Sequence, residues 1–502
     1  MGRRSVRTSV KTRQTSETGG LTAAATGAPA TARSIAIVAA LLAALFALAA
    51  PQPAEARVPK QLTYPEIEFK APQIDTLVFA NGLRGYLLED HEVPRVNIVI
   101  KFRTGYPAED KTGLNDLAGW ALRNAGTARF TKETLDQELE YVGASIESYS
   151  GQCLGQVTAD FLTKDTDKVL EMLAEVVTAP AFEPAKLEVR RNSMIEEIRR
   201  KADEPSSLGY RELARIIYGD HPAGREATVA SVTGISRSDV SAFHSRYVRP
   251  ENAVIGISGD MTRAEALEKI GRYLGPWRRG AEIPVLPEMK YSNVPSVNYI
   301  YKDLSQAYIF AGHLGMNSIN PDVPVADIMD HILGSGSFTS WIIKRVRSDE
   351  GLAYDAGSYF GESPFGYGLF VASCQTRCDA AMRALAIILE EITRMKQQGP
   401  SLEEVNTARD SFVNRQAFDY ESSARVVDRL VEYDITGQPL DTLQRRFGAY
   451  QATTLEDVRR VAGRYLFPEG LTILVVGNQD LFDRPLSDFG TVNVIQMEEE
   501  VQ

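Results

Sequence analysis

The sequence predicts an α+β fold built from two homologous halves, each an antiparallel sheet covered by helices on one face. The first observation is an internal repeat, because residues 235–260 align without gaps with residues 453–478 at a constant offset of 218. Identical aligned positions include Asp239/Asp457, Val240/Val458, Arg246/Arg464, Tyr247/Tyr465, Pro250/Pro468, Glu251/Glu469 and Gly259/Gly477. We therefore expect two related halves at about 70–285 and 296–490, joined by a Pro-containing linker at 283–295.

The second observation is the order of the elements, since predicted strands come in groups that are followed by groups of helices. Such an order favours antiparallel sheets with helices on one face over a doubly wound parallel sheet. Apolar periodicity predicts the elements of the first half in chain order. They are strands at 86–88 and 96–102, helices at 115–124 and 132–142, alternating strands within 145–163, helices at 165–177, 186–201 and 237–247, and a strand at 253–258.

Composition limits the classes of function. The chain has 502 residues, of which 44% are hydrophobic and 24% charged, and this is an ordinary globular composition. Its net charge of −11 argues against a binder of nucleic-acid phosphates, because that role needs an excess of positive charge. We expect no nucleic-acid partner.

Residues 1–56 have the features of a signal peptide. Six Arg or Lys and a single acid lie between residues 3 and 33, residues 35–50 carry no charge, and Ala54-Glu55-Ala56 resembles a cleavage site. The alternative is an uncleaved membrane anchor. Cleavage after Ala56 removes six positive and two negative charges and leaves a net charge of −15. We expect an exported protein, periplasmic or extracellular, without stable membrane insertion after cleavage.

Neither cysteines nor histidines form a recognisable site. Cys153, Cys374 and Cys378 are interpreted as unpaired thiols, with one bridge between Cys374 and Cys378 as the alternative in an oxidising compartment. No two of the five histidines stand at a helical i, i+3 or i, i+4 spacing, and His91-Glu92 lacks the second histidine of H-E-x-x-H. Serine-hydrolase and phosphate-loop motifs are also absent from the sequence.

The string LVFANGLRGYLLEDHEVPRVNIVIKFRTGYPAEDKTGLNDLAGWALRNAGT, at residues 77–127, resembles the opening of the insulinase-like (pitrilysin) zinc metallopeptidases. The resemblance continues through RNSMIEEIRRKADEPSS, YGDHPAG and RYVRPENAVIGISGD in the first half, and through LGSGSFTSWIIKRVRSDEGLAY in the second. It covers nearly the whole mature chain and implies tandem α+β halves.

The resemblance also implies that the zinc site is lost. The family's H-x-x-E-H motif supplies two histidine ligands and a glutamate that activates water, and a further glutamate ligand lies downstream. The motif falls on Asp116, Leu117, Ala118, Gly119 and Trp120. Glu197 follows Trp120 with 76 residues between and matches the downstream glutamate. One carboxylate, even with Asp116, gives too few ligands, so we expect no metal in this chain.

The second half keeps the family's other catalytic feature. Active members use an Arg and a Tyr seven residues apart to hold the substrate carbonyl and stabilise the developing oxyanion. Arg347 and Tyr354 match this pair in RSDEGLAY, and we interpret them as catalytic. The alternative is a surface salt-bridge arginine and a core tyrosine.

The resemblance therefore implies a zinc-free subunit of a two-chain peptidase. It implies a homologous partner with an intact H-x-x-E-H and the zinc, a chamber that admits peptides or unfolded segments, and inactivity of this chain alone. Substrate is expected to add to an exposed strand edge near residues 144–150. The competing interpretation is a catalytically retired structural or peptide-binding protein of the same fold.

Overall fold

The computed structural model describes residues 72–105, 109–280, 283 and 288–497 of the chain. The predicted signal peptide at 1–56 and part of the predicted linker at 283–295 lie outside these residues. The described part contains two six-stranded sheets with helices packed against them, and the predicted α+β fold with two similar halves is confirmed.

The first sheet has the strand order β1-β2-β6-β3-β5-β4. Its strands are β1 (Asp75–Val78), β2 (Arg84–Glu89), β3 (Arg95–Arg103), β4 (Ser145–Ser150), β5 (Leu154–Leu162) and β6 (Ala253–Gly259). All neighbours are antiparallel except β2 and β6, which run parallel. The sheet is therefore mixed. Strand β6 joins it after a long, mainly helical segment between residues 166 and 247.

The five predicted helices of the first half are present in the predicted order. The helices are α1 (Leu114–Asn124), α2 (Lys132–Val142), α3 (Thr166–Thr178), α4 (Pro184–Asp203), α5 (Pro205–Tyr218), α6 (Val229–Thr233), α7 (Arg237–Tyr247) and α8 (Arg263–Leu274), of which α5, α6 and α8 are additional to those predicted. Helix α2 begins after Thr131, whose side chain accepts from the backbone of Thr134, and ends at Gly143 in the left-handed conformation. The apolar faces of these helices, with the exception of α5, form one core with the sheet.

The second sheet has the order β10-β12-β8-β13-β7-β14 and repeats this topology in five strands, while β14 stands in the place of β1 but runs parallel to its neighbour. Its strands are β7 (Ser296–Tyr301), β8 (Gln306–Leu314), β10 (Ala353–Phe360), β12 (Leu369–Arg377), β13 (Thr472–Gly477) and β14 (Val492–Val494). A separate short pair joins β9 (Met316–Asn317) to β11 (Glu362–Ser363). Strand β13 runs parallel to β7, as β6 does to β2.

The helices of the second half include two π-helical segments. The helices are α9 (Val323–Asp330), α10 (Trp341–Ile343), α11 (Ala381–Gln397), α12 (Leu402–Arg415), α13 (Ser423–Thr436), α14 (Thr442–Ala452) and α15 (Leu455–Tyr465). The π-helical segments are His331–Ser335 and Lys344–Asp349. Such segments are rare and are found frequently at functional sites.

The sequence repeat corresponds to matching helices. Helix α7 and helix α15 have the same length at the offset of 218, and each begins with a capping box. Ser236 and Asp239 form the first box, and Thr454 and Asp457 form the second. The predicted domain limits at 70–285 and 296–490 remain predictions.

The two halves exchange one helix each. Helix α5 of the first half packs on β8 and β13 of the second sheet, and α13 of the second half packs on β2, β3 and β6. Helices α5 and α13 occupy equivalent positions at the offset of 218. Each sheet therefore has helices of its own half on one face and a helix of the opposite half on the other. The described residues from Pro72 onward accordingly form one compact unit.

Close packing and charge hold α13 on the first sheet. A Cβ at Gly256 would lie 2.5 Å from Val427 Cγ1, so only glycine admits the helix at this distance. The Arg84 guanidinium pairs with Asp434 at 2.8 Å. Lys101, whose side chain is only 6% exposed, has its ammonium 2.9 Å from the Asp428 carboxylate. A buried lysine requires such a partner because an uncompensated buried charge is strongly unfavourable.

Candidate functional site

Helix α1 carries the residues aligned with the zinc motif. Asp116, Gly119 and Trp120 lie on one face of it, because their spacing is i, i+3 and i+4. The buried Glu109 carboxylate accepts the backbone N–H of Asn115 at 3.0 Å in the first turn of the helix. Burial raises the pKa of Glu109 to about 7, although backbone hydrogen bonds oppose this shift.

An arginine lies between the two acids that sequence analysis assigned to the degenerate site. Arg190 of α4 donates to Glu197 Oε1 at 2.8 Å and to Asp116 Oδ1 at 3.1 Å. The Arg190 side chain is only 17% exposed. Burial lowers its pKa, but the neighbouring carboxylates more than offset this effect, and the pKa lies above its usual value. One guanidinium thus pairs with both carboxylates, and the three side chains together keep a net charge of −1.

These residues do not fit a zinc ion. Two carboxylates that share one guanidinium offer no free pair of ligands, and tetrahedral zinc sites use at least three protein ligands. Among the described residues, no group of three or more His, Cys, Asp or Glu side chains is placed to hold a metal ion.

Gly119 cannot be replaced by a larger residue in this packing. A Cβ there would lie 2.4 Å from Ser150 Oγ and 2.5 Å from the Ser150 backbone nitrogen. Gly334 packs on Ser358 of β10 in the same way, because a Cβ at Gly334 would lie 2.2 Å from Ser358 Oγ. Helix α1 of the first half therefore packs on the edge strand β4 as the π-helical segment His331–Ser335 of the second half packs on the edge strand β10. The third position, Trp120, is partly buried against the first core.

Arg347 and Tyr354 lie together at two irregular elements of the second half. Arg347 belongs to the π-helical segment Lys344–Asp349. Tyr354 is the extra residue of a β-bulge, because Ala353 pairs with Thr376 and Asp355 pairs with the adjacent Gln375. Bulges redirect side chains and are over-represented next to active sites. The Arg347 guanidinium carbon lies 4.4 Å from the centre of the Tyr354 ring.

The surroundings of Arg347 differ from those of its neighbour Arg345. Arg345 forms ion pairs with Glu390 at 2.9 Å and with Glu391 at 2.7 Å. Within the described part of the chain, Arg347 has no carboxylate partner, and its recorded contacts are with the rings of Tyr354 and Phe338. Tyr354 is 83% exposed. Neither side chain fits the alternative of a salt-bridge arginine and a core tyrosine.

The structure also shows where strand β4, the cysteines and His91 lie. Strand β4 (Ser145–Ser150), near the predicted substrate-binding edge, is an edge strand of the first sheet. All three cysteines are unpaired, and Cys374 and Cys378 are buried. His91 Nδ1 contacts the Asp260 carboxylate at 2.7 Å. No helix among the described residues is both long and apolar enough to cross a membrane.

Sequence reasoning missed Arg190 and Phe338. Arg190 precedes Glu197 by seven residues, which is two helical turns, so its position on the same face could have been found from spacing alone. Phe338 follows the GSGS run at residues 334–337, and no spacing in the sequence points to its contact with Arg347.

Comparisons with known proteins agree with this architecture. A model of the "Peptidase M16 inactive domain" matches residues 234–412, and a model of the "Insulinase (Peptidase family M16)" matches residues 87–230. A Helicobacter pylori protein named "Non-peptidase homolog YmxG" is 23% identical over 398 residues, which cover 78% of this chain and 91% of that protein. An "Uncharacterized zinc protease" of Rickettsia bellii is 25% identical over 62% of this chain and 75% of that protein.

Solved structures share the fold. A peptidase M16 inactive domain from Pseudomonas fluorescens superimposes with a TM-score of 0.76 at 23% identity and covers 82% of this chain and 99% of its own. The periplasmic protease PqqL from Escherichia coli gives a TM-score of 0.71 at 14% identity over 88% of this chain and 50% of that protein. With matches to two models of one family in consecutive parts of the chain, this protein belongs to the insulinase family, peptidase family M16.

Proposed function

We propose that this chain is the zinc-free subunit of an exported two-chain metallopeptidase. It would supply Arg347 and Tyr354 to a composite active site, and a homologous partner with an intact H-x-x-E-H would supply the zinc and the general base. The partner's metal would activate water and polarise the scissile carbonyl. Peptides or unfolded segments are the proposed substrates.

The observation that carries this proposal is the contrast between two arginines. Arg190 pairs with two carboxylates and lies between them in the degenerate site. Arg347 has no acidic partner among the described residues and lies beside the exposed Tyr354. A guanidinium whose N–H groups are free of acceptors can donate to a carbonyl oxygen, and a tyrosine hydroxyl can do the same.

Binding and export complete the proposal. Strand β4 is the last strand on one side of the sheet, so we propose that an extended peptide adds to it, as in β-augmentation. The basic and apolar order of residues 1–56 supports secretion. The description of the fold relative PqqL as a periplasmic protease agrees with a location outside the cytoplasm.

A second candidate function is a catalytically retired structural or peptide-binding protein. The name "Non-peptidase homolog" of the Helicobacter pylori relative favours it. The two functions differ in what they require of Arg347 and Tyr354, because a scaffold has no chemical use for an exposed Arg–Tyr pair.

Peptide hydrolysis by the reconstituted pair tests the proposal. The partner would be the exported homologue with H-x-x-E-H encoded nearest to this chain's gene, and gel filtration would verify assembly. Tyr354→Phe and Arg347→Ala should each lower kcat about 10²- to 10³-fold, the usual cost of one oxyanion donor. Tyr359→Phe, on the same strand and also exposed, and Lys344→Ala, on the same π-helical segment, are matched controls. Unchanged turnover by the first two variants in an intact assembly would leave the structural role.

A further inference from the structure

Phe338 is the second aromatic side chain in contact with Arg347. Its ring centre lies 4.6 Å from the Arg347 guanidinium carbon, compared with 4.4 Å for Tyr354. We infer that Phe338 is a positioning residue, which holds the Arg347 guanidinium in place for the composite active site. This inference rests on the proposed function and adds a residue to it.

Arg347 depends on these rings for its orientation. An arginine side chain has several rotatable bonds and is usually fixed by hydrogen bonds or ion pairs. Within the described residues Arg347 has neither, so its two cation–π contacts are the polar interactions that restrain it. Tyr354 would also contact substrate, whereas Phe338 has no reactive group. The role left to Phe338 is to restrain Arg347.

The backbone before Phe338 is strained. Ser337 has a φ of +62°, and Phe182 is the other described non-glycine residue with a positive φ. Such conformations cost free energy and cluster at functional sites. The buried Ser340 holds the turn, because its hydroxyl donates to the carbonyl of Ser337 at 2.8 Å and its backbone N–H donates to the same oxygen at 3.1 Å.

The turn brings an apolar ring to the surface. Phe338 remains 60% exposed instead of packing into the adjacent core of the second half. An isolated exposed phenylalanine needs no explanation by itself. Three features together indicate that the fold fixes the position of Phe338. They are the strained Ser337, the turn held by the buried Ser340, and the contact with Arg347, which has no acidic partner in the described part of the chain. Because a ring offers no oxygen acceptor, the contact restrains Arg347 and leaves its N–H donors available to a substrate carbonyl.

The test compares Phe338→Ala with Phe338→Tyr, which keeps a ring, in the reconstituted pair. Phe338→Ala should lower kcat about two- to fivefold, the range for exposed cation–π contacts, with a smaller change in KM. Phe338→Tyr should restore the wild-type value. In the Arg347→Ala background, Phe338→Ala should have no further effect, because the residue acts through Arg347. The exposed position should leave the melting temperature of each variant unchanged.

A second measurement uses the purified chain without its partner. The NMR order parameter of the Arg347 Nε–H group should fall in Phe338→Ala and recover in Phe338→Tyr. An unchanged order parameter, or an equal loss of kcat in the presence and absence of Arg347, would overturn the inference. If Arg347→Ala itself leaves turnover unchanged, the proposed function fails and the catalytic role of Phe338 fails with it. If Arg347→Ala lowers turnover and Phe338→Ala does not, only the inference about Phe338 is overturned.

Discussion

Arg190 of α4 donates a hydrogen bond to Asp116 of α1 over 3.1 Å. The same guanidinium donates to Glu197 at 2.8 Å, so one cation of the protein joins the helix of the degenerate motif to the helix of the downstream glutamate. Each carboxylate has an arginine as its ion-pair partner, and the two share this one cation. The site is therefore a structural ion-pair cluster in this chain.

We expect Arg190→Met to destabilise the folded chain by about 1–2 kcal/mol, because it leaves two partly buried carboxylates without a counter-charge. The side chains of Asp116 and Glu197 are 42% and 37% exposed, so water limits the cost. Urea denaturation monitored by circular dichroism measures it. Arg199→Ala, which removes an exposed ion pair with Glu196 on the same helix, should cost less than about 1 kcal/mol. Equal costs for the two variants would contradict this role for Arg190.

Glu109 predicts a specific pH dependence of stability. Its folded-state pKa of about 7 lies above the ordinary value, so the folded state holds this proton more tightly than the unfolded state does. Its contribution to stability is fully present below the ordinary pKa of about 4.5 and is lost as the pH rises through 7. The free energy of unfolding should therefore fall by on the order of 1–3 kcal/mol between pH 4.5 and 7.5 from this group alone.

Glu109→Gln isolates this effect because it removes the titration and keeps the shape of the side chain. The difference in unfolding free energy between wild type and Glu109→Gln should change across that pH range. The exposed Glu92→Gln serves as the control, and its difference from wild type should not follow the same course. A constant difference for Glu109→Gln would show that the pKa of this carboxyl is the same in the folded and unfolded states.

The exchanged helix α13 gives a prediction about packing. A Cβ at Gly256 would lie 2.5 Å from Val427 Cγ1 and 2.7 Å from Val431 Cγ2, so Gly256→Ala should destabilise the chain by about 1–3 kcal/mol. Gly271→Ala is the matched control, since no other atom of the residues that the structure describes, apart from its chain neighbours and the backbone of its own helix, lies within 4 Å of a Cβ at this position in α8. It should stabilise the chain by about 0.5–1 kcal/mol through helix propensity. The two variants should thus shift the urea midpoint in opposite directions.

Local patterns were sufficient to predict most elements of the first half. Helix α2 has the predicted limits, and α7 and α15 coincide with the aligned repeat because each begins with a capping box that sequence alone specifies. The exchange of α5 and α13 could not be predicted, since an apolar helix face does not specify which of two similar sheets it covers. The same limit applies to the parallel pair β2–β6, which depends on long-range topology.

In the candidate site, too, some features could be predicted from the sequence and others depend on long-range contacts. The family resemblance pointed to Arg347 and Tyr354 as a pair, and the structure has the first on a helical segment and the second on the following strand. The bulge that exposes Tyr354 depends on its register with β12, which the sequence does not reveal. The contact of Gly119 with Ser150 is likewise a tertiary contact between residues far apart in the chain. The catalytic roles of Arg347 and Tyr354 remain predictions.

Restoring the motif residues should not restore a zinc site. We expect the triple variant Asp116→His, Gly119→Glu and Trp120→His to bind no stoichiometric zinc and to lose at least about 2 kcal/mol of stability. A side chain at position 119 collides with the backbone nitrogen of Ser150 at 2.5 Å, and Arg190 still lies between positions 116 and 197. Elemental analysis of the dialysed protein and urea denaturation measure the two effects.

Two further variants separate the steric cause from the electrostatic one. Asp116→His alone keeps the Gly119 contact, so it should lose only the ion pair with Arg190, about 1 kcal/mol. Adding Arg190→Ala to the triple variant removes the competing cation but leaves the backbone of Ser150 in place. If the contact at Gly119 is decisive, this quadruple variant should also bind no stoichiometric zinc. One tightly bound zinc per chain in the quadruple variant would show that Arg190, and not the packing of Gly119 against β4, is what keeps the metal out.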